Sequence, residues 1–129
     1  MKQTFTKDER LHRKILIGRL FQEGAHFYVY PFRVKWMIIP PEKSPAQLLI
    51  SVPRQYVKKA VNRNYIKRRI RESYRLNKPI LYTELEKKNM QLVFSVCYTT
   101  KEILTYQKIS EKIIVILHRL SEIYAESTG

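Results

Sequence analysis

Between Arg54 and Lys78 the chain carries Arg54, Lys58, Lys59, Arg63, Lys67, Arg68, Arg69, Arg71, Arg75 and Lys78, with Glu72 as the sole acid. Ala60, Val61, Tyr65, Ile66, Ile70, Tyr74 and Leu76 are interleaved with these charges, and neither Gly nor Pro falls between Arg54 and Asn77. The spacing predicts a helix from about Val61, with Asn62 placed to cap it. Asn64, Lys67, Arg68, Arg71 and Arg75 then share one side within roughly 100° of arc. Ile66, Ile70, Ser73 and Tyr74 lie elsewhere on the helix and seat it on a core. Like charges at these spacings repel by a few tenths of a kcal/mol per pair in an isolated helix. A polyanion removes that repulsion and gains counterion release. This favours nucleic-acid binding over a merely solvated basic face or a membrane-surface patch.

The residues for protein-based catalysis are sparse. His12, His26 and His118 are scattered along the chain and read as surface or packed histidines. A two-metal nuclease holds its cations about 4 Å apart on clustered carboxylates, whereas Asp8 is the only aspartate and the glutamates fall mostly on predicted helix surfaces. Cys97 lies mid-strand and reads as a small buried hydrophobe. No phosphate-binding glycine loop, zinc spacing or nucleophile elbow is present. The residues alone describe a binding protein with no catalytic group and no metal site of its own.

The 129 residues are expected to form a single domain with a real core, given a hydrophobic content of 44%. A formal charge of +14 points to a polyanionic partner. A single cysteine makes no internal disulfide, which suits a reducing compartment. No apolar run approaches the roughly 20 residues of a membrane span, and the polar start is no signal peptide. The expected location is the cytoplasm, without a membrane partner.

These residues need elements to hold them. Residues 1–7 are polar and expected to be loose. Asp8 to Glu23 reads as a helix ended by Gly24 in a left-handed cap. Leu16 and Leu20 form its core-facing pair. Arg13, Ile17 and Phe21 form a second stripe at spacings of four, which either adds to the core or lines a groove. His26 to Ile39 is strand-like, with Pro31 marking a bend, bulge or edge position. Tyr28, Tyr30, Phe32, Val34, Trp36 and Ile38 share one parity, expected in the core, and Arg33 and Lys35 lie on the other. Gln47 to Val52 is a second strand, expected to pair with the first as a hairpin. The basic helix follows over roughly 58–76, then a short surface helix from Ile80 to Lys88. Gln91 to Tyr98 is apolar on both faces, as an interior strand would be. Tyr106 to Glu126 carries a continuous stripe from Tyr106 to Tyr124 and is the clearest helix. The order α-β-β-α-(α)-β-α, with the first strand open to division in two, describes an α+β, two-layer sandwich.

The segment Ala60-Val61-Asn62-Arg63-Asn64-Tyr65-Ile66-Lys67-Arg68-Arg69-Ile70-Arg71-Glu72 resembles the signature helix of the bacterial ribonuclease P protein subunit, roughly A-V-x-R-N-R-x-K-R-x-x-R-[EQ]. Ala60, Val61, Arg63, Asn64, Lys67, Arg68, Arg71 and Glu72 match in register. Tyr65 stands where the family usually has a second arginine, and Lys58 where a glycine is common. The resemblance implies a ribosomal-protein-like domain with a left-handed β-α-β crossover at this helix. It also implies partners: the catalytic RNA subunit of ribonuclease P, and precursor tRNA. Lys59, Arg63, Asn64, Tyr65, Lys67, Arg68, Arg71 and Arg75 would contact RNA. Arg13, Ile17, Phe21, Arg33 and Lys35 would line a groove for the single-stranded 5′ leader, with Ile17 in place of the family's first aromatic. The RNA, with Mg²⁺ bound to it, would cleave the leader, and the protein, a monomer by itself, would assist. Three alternatives stand beside this. A structural RNA-binding protein of similar fold shares the basic helix. A DNA-binding regulator is disfavoured by the lack of helix-turn-helix spacing and of base-reading Asn and Gln. A protein-only nuclease lacks its carboxylate cluster.

Overall fold

The computed structural model describes residues 4–41, 44–87 and 90–128. Its elements are α1 (Lys14–Glu23), β1 (Ala25–Val29), β2 (Phe32–Ile39), β3 (Ala46–Ser51), α2 (Ala60–Asn77), α3 (Pro79–Leu85), β4 (Gln91–Tyr98) and α4 (Tyr106–Thr128). The strands form one mixed sheet in the order β1-β2-β4-β3. β1 and β2 are an antiparallel hairpin, β2 runs antiparallel to β4, and β3 runs parallel to β4. The architecture is the expected α+β sandwich, and β4 is the expected interior strand.

The main core lies between one sheet face and the layer of α2, α3 and α4. Phe27, Phe32, Val34, Phe94, Val96 and Tyr98 project into it, meeting Ile66, Ile70 and Tyr74 of α2. From α4 come Ile109, Ile113, Ile116, Leu117, Leu120 and Tyr124, so the predicted stripe is the buried one. α3 is less superficial than its charges suggest, because Leu81, Tyr82 and Leu85 are buried. Pro79 at its start supplies no backbone donor, so α2 stops and a new helix begins there. Lys88 of the predicted span lies outside the described residues.

Several expectations are corrected. β3 does not pair with β2. β4, distant in sequence, is inserted between them, an interior place that suits a strand apolar on both faces. α1 begins at Lys14 rather than Asp8. Before it stand a 3₁₀ turn at Lys7–Glu9 and an extended stretch that lies along β3, with Leu11 donating its N–H to Leu48 O at 2.9 Å. Gly24 is not left-handed, since its φ is −66°. A Cβ there would stand 2.4 Å from Leu20 O and 3.1 Å from Trp36 O, so the close pass of the backbone over the last turn of α1 requires glycine. α2 is capped at Lys59, and Asn62 falls inside its first turn.

The long first strand divides at Tyr30-Pro31, whose peptide bond is cis. The turn reverses the parity of everything before it. Phe27 sits across from Val34 and Val29 across from Phe32 on the core side, while Tyr28 sits across from Arg33 and His26 across from Lys35 on the other. The prediction that Tyr28 and Tyr30 share the core with Phe32 and Val34 is therefore wrong: both tyrosines are exposed.

The beginning of the chain is also held. Phe5 packs edge-on against Tyr74 at 5.6 Å, and Glu9 is buried with Lys78 and Tyr82. Lys78 Nζ donates to Glu9 Oε2 at 2.6 Å and to Thr4 O, and Tyr82 OH donates to the same carboxylate at 2.5 Å. Residues 1–3 of the stretch expected to be loose lie outside the described residues; Phe5 is packed and Thr4 is held through its carbonyl, while the side chains of Thr4, Thr6 and Lys7 are exposed.

Candidate nucleic-acid interface

α2 buries Ile66, Ile70, Ser73 and Tyr74 and turns its charges outward. Asn64, Arg68 and Arg71 are exposed; Lys67 and Arg75 are half-buried at the margins of the same face. Arg75 is bound to Glu72 at 2.6 Å. Lys59 is exposed just before the helix. Arg63 behaves differently: its Nη1 donates to Val57 O at 3.1 Å and to Lys58 O at 2.7 Å, fastening the chain that leads into the helix. Lys78 also leaves the basic surface, since burial pairs it with Glu9. Beside α2, where the stretch before α1 lies along β3, Lys67 and Arg71 join Arg10 around a cleft of about 220 Å³ floored by Phe5, Leu48 and Ile50.

The second candidate site is on the opposite face of the sheet. Leu16 and Leu20 of α1 clamp onto Ile39 and Val93, with Met37, Leu49 and Ile17 around them. This covers only one end of the face. Beyond it lie two more rows across the sheet: His26, Lys35 and Ser95, with Leu49 reaching back into that cluster, then Tyr28, Arg33, Cys97 and Ser51. Ser95 and Cys97 are the small residues at their centre, and this strip of the sheet face beside α1 is the candidate trough.

Phe21 stands at the boundary between α1 and this trough. Its ring is 48% exposed, and Lys35 Nζ lies 5.3 Å from the ring centroid while donating to Phe21 O at 2.8 Å. Arg33, two residues along β2, points to the same side and is exposed. Of the five residues predicted to line a groove, Phe21, Lys35 and Arg33 are thus brought to one region. Ile17 is half-buried against the smaller core, between the two roles left open for it. Arg13 is exposed at the start of α1, two turns from Phe21. Tyr28 escaped prediction, as did the strip of Ser51, Ser95 and Cys97. Pro31, read as a turn rather than a bend, was the signal that placed Tyr28 with Arg33.

The family model for ribonuclease P matches residues 5–121. The chain belongs to the ribonuclease P protein family. A ribonuclease P protein component from Porphyromonas gingivalis is 30% identical over 117 residues, covering 90% of this chain and 85% of its own. One from Chlorobium phaeobacteroides is 32% identical over 130 residues, covering 91% and 89%. Among solved structures, the ribonuclease P protein of Thermotoga maritima superposes with a TM-score of 0.66 at 27% identity, over 86% of this chain and 96% of that one. The Staphylococcus aureus protein gives 0.67 at 20% identity, over 90% and 97%, a likeness of fold.

One of the two departures from the ribonuclease P signature has a structural counterpart. Tyr65 carries the guanidinium of Arg69 3.2 Å above its ring centre, so a cation from one turn later stands over the position of the missing arginine. At Lys58 the turn is secured through the backbone carbonyl, which accepts from Arg63 and would be the same for glycine; the lysine side chain is exposed. The histidines do not converge: His12 precedes α1, His26 is in β1 and His118 in α4, all exposed. Among the described residues no three of His, Cys, Asp and Glu gather as metal ligands, and no helix is long and apolar enough to cross a membrane.

Proposed function

We propose that this chain is the protein subunit of ribonuclease P, holding the catalytic RNA on the exposed face of α2 and the 5′ leader of precursor tRNA in the trough beside α1. The observation that carries the proposal is the separation of the two surfaces. α2 packs on one sheet face through Ile66 and Ile70, whereas Phe21, Lys35 and Arg33 are gathered on the other. Such a protein can touch two RNA segments at once. Lys59, Asn64, Tyr65, Lys67, Arg68, Arg71 and Arg75 supply the first contact, with Arg63 shaping the approach to the helix. Neutralising phosphates there lowers the repulsion between two polyanions. In the trough Phe21 offers a stacking face, Lys35 and Arg33 meet phosphates, and Ile17 and Arg13 continue the wall along α1.

Leader contacts favour precursor over product, because only the precursor has a leader to contact. The hydrolysis of the phosphodiester belongs to the RNA and the Mg²⁺ it binds. This chain's part is to bind, orient and discriminate. The test is to purify the chain from its host and ask whether the RNA that accompanies it, supplied with Mg²⁺, matures a precursor tRNA. Recovery of ribosomal RNA without such activity would instead make the chain a structural RNA-binding protein. Equal affinity of the assembled particle for precursor and mature tRNA would remove the leader from the proposal.

A further inference from the structure

We infer that Tyr28 and Tyr30 form a second stacking station for the leader, about one to two nucleotides beyond Phe21 and Lys35; this rests on the proposed function and extends it. Both rings are half exposed, at 51% and 49%, and their centroids are 6.4 Å apart. Large aromatics at the surface without apolar cover normally invite a partner. These two are also fixed in place. Thr99 Oγ1 donates its proton to Pro31 O at 2.7 Å, so the 3.1 Å bond between Tyr28 OH and Thr99 must be donated by the tyrosine. Tyr30 OH donates to Thr100 Oγ1 at 3.1 Å. With both hydroxyl protons engaged, the rings are pre-oriented, which reduces the ordering cost of binding.

The sheet register continues the track. Tyr28 is the cross-strand partner of Arg33, and Arg33 is two residues along β2 from Lys35, about 7 Å. Aromatic, cation, cation, aromatic is the order from Phe21 through Lys35 and Arg33 to Tyr28. It suits a single strand whose phosphates and bases alternate, and the protein's +14 charge fits a polyanion.

The experiment uses the particle assembled from full-length protein and its RNA, with precursor tRNAs carrying leaders lengthened one nucleotide at a time. For the unaltered protein, affinity should climb with leader length and then level off. The variant Tyr28→Ala with Tyr30→Ala should level off one or two nucleotides earlier, with plateau affinity lower by about fivefold to 150-fold for each stacked base lost. Affinity for the shortest leaders and for mature tRNA should not change. Tyr28→Phe keeps the ring and should keep most of the plateau. An unmoved plateau in the double variant overturns the inference. Equal losses at every leader length, mature tRNA included, overturn it too, by showing a structural role. If the unaltered protein shows no dependence on leader length while Phe21→Ala changes nothing, the proposed function itself fails.

Discussion

Truncating Phe21 separates a groove residue from a core residue more sharply than any other single change. The ring is already 48% exposed, so Phe21→Ala gives up on the order of 1 kcal/mol of apolar burial. Its contact with Lys35, 5.3 Å from the ring centre, adds about 0.5–1 kcal/mol at such a site. The hydrogen bond from Lys35 to Phe21 O survives, because it goes to the backbone. The total is well below the roughly 3–5 kcal/mol lost with a fully buried phenylalanine. At this chain length it corresponds to a fall in Tm of roughly 3–6 °C per kcal/mol. Binding should respond differently. Loss of one stacked base costs about 1–3 kcal/mol, a weakening of precursor tRNA by about fivefold to 150-fold, with mature tRNA and the catalytic RNA unaffected. The assay is equilibrium binding of precursor and product to the assembled particle, beside a melting curve of the free protein. A steep loss of stability, or equal losses for precursor and product, would refute the groove.

Three other perturbations address separate parts of the molecule. Arg68→Ala and Arg71→Ala should each weaken RNA binding and flatten the dependence of log K on log salt by about 0.7–0.9 per lost phosphate contact, measured by titration across salt concentrations; an unchanged slope would remove this face from the interface. Glu9→Gln should cost several kcal/mol, because Lys78, 3% exposed, would be left as a buried charge without its counter-ion. The same carboxylate sets an acid sensitivity. Burial alone would raise its pKa, yet hydrogen bonds from Lys78, the Thr6 N–H, Tyr82 and the Thr6 hydroxyl hold it below the ordinary 4.5. The unfolded chain therefore binds the proton first as pH falls, so this contribution is complete above about 4.5 and disappears as pH drops through the lowered folded value. Melting curves from pH 6 to pH 3 should lose this component in Glu9→Gln. Finally, His12, His26 and His118 changed together to Gln should leave the single-turnover cleavage step nearly intact at saturating precursor, and a loss of several orders of magnitude would reinstate a protein catalyst.

Local pattern carried the elements whose environment is set by their own residues. α4 and β4 follow from one apolar stripe and from apolar character on both faces, and the packed residues are those the stripe names. The basic face of α2 follows in the same way. What local pattern missed depends on distant partners. The pairing of β3 with β4 rather than β2 arises only once α2 and α3 have crossed back over the sheet. The buried pairing of Glu9 with Lys78 joins residues that look like a surface acid and one more charge in a basic run. In β1 the parity was legible, but its phase depended on Pro31 making a hairpin. Read without that turn, Tyr28 and Tyr30 go to the core; read with it, they join Arg33 and Lys35. The strip itself was not legible, since Ser51, Ser95 and Cys97 come beside Arg33 and Lys35 only after three strands are in register.

The division of labour between the sheet's two faces also determines what each surface can do for selectivity. Whatever α2 gains from RNA phosphates is the same whether precursor or mature tRNA is present, so it raises the affinity of assembly without favouring either. If the trough holds the leader as proposed, its contacts form only with the precursor, so they alone would enter the difference between substrate and product. The sheet keeps the two apart because its faces alternate residue by residue: Val34 and Phe94 bind the α2 side while Arg33, Lys35 and Ser95, their immediate neighbours, face the trough. A one-residue slip of β2 against β4 would exchange those faces, burying two cations and exposing the core. The apolar packing that stabilises the fold therefore also holds Arg33 and Lys35 on the side where they can meet a leader.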